Sequence, residues 1–142
     1  MSSTGSSHEP YYMTIPVAPE HIDMLDHVSN LVYVKWLQDA AINHWNEHAK
    51  PHWKESIIFV VTRHEIDYLR SAVLGDTVIV KTWIGKARKN LFERHTEIYR
   101  QSDGKLFVKG LSLWCPLDAK TKRLIRPPEE LLKDWSEFPV SE

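Results

Sequence analysis

The sequence has 142 residues, of which 42% are hydrophobic and 26% are charged. This composition is that of a globular protein, and the length suits one domain with a core of its own. The formal net charge is -1 at pH 7, which excludes a general electrostatic attraction to nucleic acid or to an anionic membrane. We therefore expect neither nucleic acid nor a membrane among the partners of the protein.

A single cysteine, Cys115, indicates a reducing compartment, because one thiol cannot form a disulfide within the chain. Its position at the end of an apolar strand is typical of a small core residue. No apolar run reaches the roughly 20 residues that a membrane-spanning helix needs, and the N-terminus lacks the features of a secretory signal. We expect a cytoplasmic protein with a disordered leader over residues 1–9 and a single domain over residues 10–142.

The predicted elements begin with a strand and one long helix. Aromatic and β-branched residues predict a first strand over residues 11–18. Residues 30–48 contain no Gly or Pro, and their apolar side chains cover much of the helix circumference. The sequence therefore predicts a helix that is buried on more than one side and that ends before a nearby proline. The candidate N-terminal caps are Asp26, Ser29 and Asn30.

The rest of the chain has the pattern of strands. An apolar, β-branched run starts at Ile57 and turns into alternation through Tyr68. Three further strands are predicted, at residues 77–84, 91–100 and 106–115. The basic segment 85–90 is typical of a hairpin turn, and residues 127–135 are predicted to form a short, peripheral helix. One long helix and five antiparallel strands indicate an α+β fold, in which a single curved sheet wraps around the helix.

The most informative segment is the turn at residues 23–33, which leads into the long helix. Asp23 and His27 are four residues apart, just before the helix N-terminus. The N–H groups at a helix start can polarise a carbonyl oxygen while a nearby carboxylate attacks the carbonyl carbon or activates water. This arrangement suits acyl transfer. Spacing alone favours the simpler interpretation, in which the polar residues are helix caps and His27 is a packed turn residue.

This segment resembles the hotdog-fold thioesterase family, in the branch that includes 4-hydroxybenzoyl-CoA thioesterase and bacterial acyl-CoA thioesterases. Members carry an Asp-x-x-Gly-His-Val-Asn-Asn turn, followed by x-x-Tyr and a helix. The matching residues in this chain are Asp23, His27, Val28, Asn30 and Tyr33. The resemblance extends over roughly residues 12–128 and includes a Gly-Asp pair at residues 75–76, before the next strand.

The resemblance implies hydrolysis of an acyl-CoA with a short, medium-length or aromatic acyl group. Asp23 would be the nucleophile or the general base, the backbone N–H near Asn30 would polarise the thioester carbonyl, and His27 would orient or assist. Tyr33 would line the acyl pocket or pack against its neighbours. The resemblance implies no cofactor besides the coenzyme A of the substrate. It also implies a homo-oligomer, a dimer or a dimer of dimers, with the active sites at a subunit interface.

The chain departs from the family pattern in four places. They are Asp26 in place of Gly, Ser29 in place of the first Asn, Gln38 in place of a helix Glu, and Ser71 in place of Pro. Asp26 would bring a second carboxylate close to Asp23 or would serve as a solvated cap. Gln38 cannot supply a carboxylate from the helix, so Asp39 is the alternative catalytic acid, ranked behind Asp23.

Four cations are candidates for binding the phosphates of the coenzyme: Arg63, Lys86, Arg88 and Lys89. Ammonium and guanidinium groups suit phosphate oxygens. Three of these residues lie in the predicted hairpin segment 85–90, and an ordinary solvated hairpin carries such charges equally often. The assignment to the coenzyme and the assignment to plain surface charge both remain open.

His44 and His48 lie one helical turn apart, with His52 beyond, a spacing at which two imidazoles can bind one metal ion. No Glu-centred metalloprotease pattern accompanies them, and no third ligand is evident, so we expect no metal. Two alternatives to an acyl-CoA thioesterase stay open. One is hydrolysis of thioesters on acyl carrier protein, and the other is a hotdog protein that binds acyl thioesters without turnover. Asp23 and His27 together argue against the latter, because a binding protein has no chemical need for them.

Overall fold

The computed structural model describes residues 9–137, so residues 1–8 of the predicted leader lie outside the described residues. The strands are β1 (Tyr11–Pro16), β2 (Ile57–Tyr68), β3 (Thr77–Arg88), β4 (Leu91–Arg100) and β5 (Leu106–Asp118). The helices are α1 (Asn30–His48), α2 (Pro51–Ser56) and α3 (Glu129–Trp135). Among the residues described, no helix is both long enough and apolar enough to cross a membrane.

All five strands form one antiparallel sheet in the order β1-β3-β4-β5-β2. β2 and β3 are consecutive in the chain, but they lie apart because β2 pairs with β5 and forms the far edge. Side chains alternate between the two faces of a strand. In β4 the buried positions are Phe92, Arg94, Thr96 and Ile98. α1 packs on this face, so the predicted α+β hotdog fold is confirmed.

Helix α1 begins and ends where the sequence predicts. The Ser29 hydroxyl caps it by accepting a hydrogen bond from the Leu31 N–H at 3.2 Å. Ala40, in the middle of the helix, is fully buried. The sheet approaches α1 closely at Gly110, where a Cβ atom would lie 3.0 Å from Cδ2 of Leu37. The missing side chain at Gly110 therefore makes room for the helix against the sheet.

Three predictions about the chain are wrong in detail. The short helix α2 follows the proline after α1 and was not predicted. The basic segment 85–90 is not a loop, because β3 continues through Arg88, with an irregular pairing between Ile84 and Ala87, and only Lys89-Asn90 form the turn. Helix α3 is not peripheral, because its Trp135 is only 3% exposed and packs against α1. Local sequence could not reveal that tertiary contact.

Two apolar clusters fill the space between α1 and the sheet. One surrounds the N-terminal half of the helix and includes Tyr33, Leu37, Val80, Ile98 and Phe107. The other surrounds its C-terminal end and includes Trp53, Ile57, Ile84, Phe92, Leu131 and Trp135. Along β3 and β4 the buried residues that separate the two clusters are polar: they are Thr82, Arg94 and Thr96. We call these three residues, together with His44 of α1, the polar layer.

Hydrogen bonds hold the polar layer together. Nη1 of Arg94 lies 3.1 Å from Nδ1 of His44 and donates to the hydroxyl of Thr82 at 3.0 Å. Burial, the charge of Arg94 and the nearby His48 lower the pKa of His44 to about 3. A neutral imidazole accepts the bond from the guanidinium at Nδ1, and its Nε2 then carries the ring proton and has no lone pair for a metal. This contact argues against a metal at His44 and His48.

Replacing His44 with Gln keeps a neutral acceptor beside Arg94 and removes the titrating group. His44 stays unprotonated in the folded protein down to about pH 3, whereas its ordinary pKa is 6.5. The unfolded chain therefore binds more protons between these pH values, and the free energy of unfolding falls as the pH drops from 6.5 toward 3. We expect this fall to be shallower in His44→Gln, by up to about 1.4 kcal/mol per pH unit. Urea unfolding at pH 6.5 to 4 measures it, and parallel curves for the two proteins would contradict the assignment.

Candidate functional site

The candidate site is a closed turn that precedes α1. A bridge between Ile22 and Val28 closes it, and the N–H of Asp23 donates to the carbonyl of His27 at 2.9 Å. Oδ1 of Asp23 accepts a hydrogen bond from the N–H of Leu25 at 2.9 Å. The carboxylate is thus held by the turn while its residue remains exposed to solvent.

Asp26 lies at the corner of this turn with a φ of 65°, in the left-handed region. Its N–H donates to the carbonyl of Asp23 at 3.0 Å. Glycine adopts such a φ without strain, whereas most other residues do not. The geometry therefore explains why the family pattern has Gly where this chain has Asp26. The backbone requirement is met here by one of the non-glycine residue types that tolerate this region best.

Two buried contacts anchor the turn to the segment between β2 and β3. The N–H of Val28 donates to the carbonyl of Ala72 at 2.9 Å, and the N–H of Ala72 donates to the hydroxyl of Tyr33 at 2.8 Å. Tyr33 is only 1% exposed, and burial raises its pKa, so the phenol is neutral. Of the two roles predicted for Tyr33, packing is the one that these contacts describe. A role in lining an acyl pocket stays a prediction.

The three predicted catalytic residues lie together at the N-terminus of α1. Asp23, His27 and Asn30 are all exposed, and Asn30 is the first residue of the helix. Ser29 accepts hydrogen bonds from the second and third N–H groups of the helix, one through its hydroxyl and one through its carbonyl. The N–H of Asn30 has no hydrogen-bond acceptor among residues 9–137. An exposed donor at the positive end of a helix can bind a developing oxyanion.

The three predicted phosphate-binding residues Lys86, Arg88 and Lys89 do not join this turn within one chain. They lie at the end of β3, whereas Ala72, the contact of the turn, lies before its start. A strand rises about 3.3 Å per residue, so Arg88 lies about 36 Å of strand beyond the first residue of β3. The binding of coenzyme A by these basic residues therefore stays a prediction. A single chain does not bring them close to the turn.

The two arginines among the predicted phosphate ligands already have acidic neighbours. Nε of Arg88 lies 2.6 Å from a carboxylate oxygen of Glu93. Arg63, on the edge strand β2, forms an exposed ion pair with Glu65. An exposed pair such as Arg63 with Glu65 contributes little to stability. Lys86 and Lys89 are exposed and carry no ion pair in the described part of the chain.

Sequence reasoning missed a chain of polar contacts between α1 and the sheet. Nε2 of Gln38 lies 3.5 Å from Nε2 of His64, and Nδ1 of His64 lies 2.6 Å from the hydroxyl of Ser112. Burial lowers the pKa of His64, so its ring is mostly neutral at pH 7. Gln38 is the residue that replaces the helix Glu of the family pattern. Its neighbours come from β2 and β5, which are far away in sequence, so only a polar residue at an inward strand position could have signalled the contact.

Comparison with known proteins decides the family. The family model of the thioesterase-like superfamily matches residues 17–135, which include the turn, α1 and all of the sheet except β1. The chain belongs to this superfamily. The resemblance inferred from the turn is thus confirmed, and the match extends over most of the chain.

Three relatives illustrate the range of this superfamily. The long-chain acyl-CoA thioesterase FadM of Escherichia coli is 25% identical over 82% of this chain and 90% of its own length. A palmitoyl-acyl carrier protein thioesterase of Gossypium hirsutum is 32% identical over 72% of this chain and 27% of its own length. A Thermus thermophilus thioesterase solved with coenzyme A and zinc is 26% identical, with a TM-score of 0.75, covering 88% of this chain and 96% of its own. The chain spans 19–27% of the length of the plant relatives that it matches.

The positive φ of Asp26 can be tested with two variants that remove the same carboxylate. Asp26→Gly keeps the backbone conformation accessible without strain, whereas Asp26→Ala keeps a Cβ atom in the left-handed region. We expect Asp26→Gly to be more stable than Asp26→Ala by about 1 kcal/mol. Urea unfolding followed by tryptophan fluorescence measures the difference. Equal stability of the two variants would mean that the turn relaxes to another conformation at little cost.

Proposed function

We propose that the protein hydrolyses acyl thioesters of coenzyme A, with Asp23 as the catalytic carboxylate. The observation that carries this proposal is the turn before α1, where Asp23, His27 and Asn30 lie together at the surface, with no acceptor for the N–H of Asn30 among residues 9–137. The same turn lies within the residues that match the thioesterase-like superfamily. Carboxylate, imidazole and helix-start donor are the groups that acyl transfer to water requires.

In the proposed reaction the thioester carbonyl oxygen accepts a hydrogen bond from the N–H of Asn30. The positive end of α1 then stabilises the negative charge that develops on this oxygen. Asp23 either attacks the carbonyl carbon, forming an anhydride that water hydrolyses, or takes a proton from the attacking water. The carbon–sulfur bond breaks, coenzyme A leaves as a thiolate that takes up the proton released by the water, and the free acid is released. His27 orients the reacting groups.

Two relatives support coenzyme A as the carrier of the acyl group. FadM, which aligns over nearly its whole length, is a long-chain acyl-CoA thioesterase. The Thermus thermophilus neighbour was solved with coenzyme A. For the protein described here we propose a short, medium-length or aromatic acyl group, with Lys86, Lys89 and the two paired arginines binding phosphates. The resting contacts of Arg63 and Arg88 with glutamates would then exchange for phosphate oxygens.

A homodimer would bring the two halves of this site together. β2 is an edge strand of twelve residues, so one side of its backbone is available to pair with another strand. Ile57 lies at the end of the sheet that carries the basic residues, and Tyr68 lies at the end that carries the turn. Antiparallel pairing of two β2 strands places the basic end of one chain beside the Asp23 turn of the other. This arrangement supports an active site at a dimer interface.

Hydrolysis of thioesters on acyl carrier protein is the second candidate function. The Gossypium hirsutum relative, a palmitoyl-acyl carrier protein thioesterase, is 32% identical to this chain, compared with 25% for FadM. Both substrate classes contain the same thioester group. They differ in the carrier of the acyl group, which is coenzyme A in one class and acyl carrier protein in the other. The ratio of kcat/KM for the same acyl group on the two carriers separates the candidates.

Asp23→Asn tests the catalytic role. The amide has nearly the same shape as the carboxylate but is neither a base nor a nucleophile, so we expect thiol release from acyl-CoA to slow by about 100-fold or more. Asp39→Asn is the matched control, because Asp39 is a carboxylate of α1 that pairs with Lys35 at 2.7 Å. It should keep the wild-type rate. A fast Asp23→Asn enzyme, or a slow Asp39→Asn enzyme, would overturn the proposed mechanism.

The double variant Lys86→Gln with Lys89→Gln tests the phosphate contacts. Loss of two cations should raise KM for acyl-CoA several-fold and weaken the dependence of kcat/KM on salt, with kcat little changed. The double variant Lys105→Gln with Lys109→Gln removes the same charge from exposed positions elsewhere. If both double variants raise KM equally, the effect is that of net charge and the specific contact is excluded.

A further inference from the structure

The face of the sheet that points away from α1 carries no helix in the described part of the chain. The three helices pack within the two apolar clusters, whose strand residues, such as Ile84 and Phe92, belong to the inner face. Alternation places the intervening residues of each strand on the opposite face, which we call the outer face. Its central side chains are only partly buried, and they are Trp83, His95, Leu111 and Leu113. An apolar surface without a covering element is a candidate interface.

Charges of alternating sign cross the outer face in one row. The row consists of residues that lie directly opposite each other on neighbouring strands, from β3 through β4 and β5 to β2. In that order they are Lys81, Glu97, Lys109 and Asp67. None of the four has an ion-pair partner among residues 9–137. We call these four residues the charge row.

The charge row is complementary to itself under one two-fold axis. Sheets that pack face to face keep their strands within about 30° of each other. An axis between two such sheets, along the strands and between β4 and β5, places β4 over the partner's β5 and β3 over the partner's β2. Glu97 then faces the partner's Lys109, and Lys81 faces the partner's Asp67. An axis along the row would instead place each charge on its own copy, so the order of the charges favours the first axis.

Beside the charge row, the outer face has an aromatic surface. The rings of Trp83 and His95 are stacked, with centroids 5.4 Å apart and an angle of 17° between their planes. A Cβ atom at Gly85 would lie 2.8 Å from Nε2 of His95, so the glycine leaves room for this ring against the sheet. Under the same axis His95 lies over the partner's Leu111. An apolar, aromatic centre bordered by polar groups is the usual composition of a protein–protein interface.

The outer face is also large enough for a stable contact. Under the proposed axis four strands overlap, about 4.8 Å apart and about ten residues long, which gives a flat area of roughly 600 Å². Projecting side chains increase the accessible area beyond this value. Stable interfaces bury about 800 Å² on each partner, so the outer face is of the required size.

We propose that the outer faces of two copies of this protein pack together, with reciprocal ion pairs between their charge rows. Complementary charges fix the orientation of two partners more than they add affinity, which comes from Trp83 and its apolar neighbours. The contact uses the face of the sheet, whereas the dimer proposed above uses the edge of β2. Either contact can therefore form without the other, and the contact between outer faces requires neither Asp23 nor hydrolysis.

Reversal of one charge tests the pairing, and sedimentation equilibrium of the full chain measures it. Glu97→Lys places like charges opposite each other at both copies of the contact, so we expect the dissociation constant for this contact to rise about 100-fold or more. Glu55→Lys, at an exposed position of α2, makes the same change in net charge and should associate as the wild type does. Reversing all four charges of the row restores every opposite pair and should restore association.

Two outcomes support the contact. Either the wild type contains four chains and Glu97→Lys contains two, or the wild type contains two chains and the variant one. A monomeric wild type at about 200 µM, a folded Glu97→Lys with the mass of the wild type, or a folded four-charge reversal that stays dissociated would overturn the proposal.

A second variant covers the case in which Glu97→Lys does not fold. Asp67 is exposed on the edge strand β2, and Asp67→Lys makes the same test against the partner's Lys81. Asp23→Asn should associate as the wild type does. Failure of the proposed hydrolysis and failure of this contact are thus observed separately.

Discussion

The packing of α1 against one face of the sheet is the contact on which the rest of the protein depends. It is possible because the sheet lacks a side chain at Gly110, where Leu37 lies, and because the helix is narrow at Ala40. Buried side chains of α1 and the sheet fill the space between them in two apolar clusters. The hydrophobic effect on this contact is the main favourable term in folding.

The two ends of α1 offer opposite chemistry. At the N-terminus the helix presents an exposed N–H beside a carboxylate and an imidazole, which suits a polar reaction with water. At the C-terminal half, aromatic side chains and the buried guanidinium of Arg94 line a pocket. The anchors also differ. Tyr33 and Ala72 fix the N-terminal turn by hydrogen bonds, whereas Trp135 fixes the other end by ring contacts with Trp45 and His44.

The sequence is most informative where structure depends on neighbouring residues. The extent of helix α1 could be predicted, because its interior has no Gly or Pro. Which of the three candidate residues caps it became clear only from the structure, where Ser29 does. The turn was recognisable because Asp23 and His27 belong to one short segment. Alternation identifies the buried face of β3, at Val78, Val80, Thr82 and Ile84. It could not say that β2 lies at the far edge beside β5, since that pairing joins residues about 50 positions apart.

The pocket at the C-terminal half of α1 shows the same limit more strongly. Its wall combines residues of α1, α2, β2, β3, β4, β5 and α3, and no local pattern links them. Arg94 was detectable in principle as a charged residue at an inward position of an alternating strand. Its partners, His44 and Thr82, could not be named without the fold. Helix α3 was misjudged for this reason as well, because only tertiary contacts bury Trp135.

The polar layer also bears on how the strands find their partners. Apolar residues at alternating positions are interchangeable, so a sheet with a uniform apolar face can pair in several registers that differ by two residues. In this sheet such a slip of β4 would move Arg94 away from His44 and Thr82 and into one of the two apolar clusters. Burying that charge without its partners costs several kcal/mol, on the order of the stability of a whole domain. The buried Arg94 therefore favours the observed strand register over registers that are shifted by two residues.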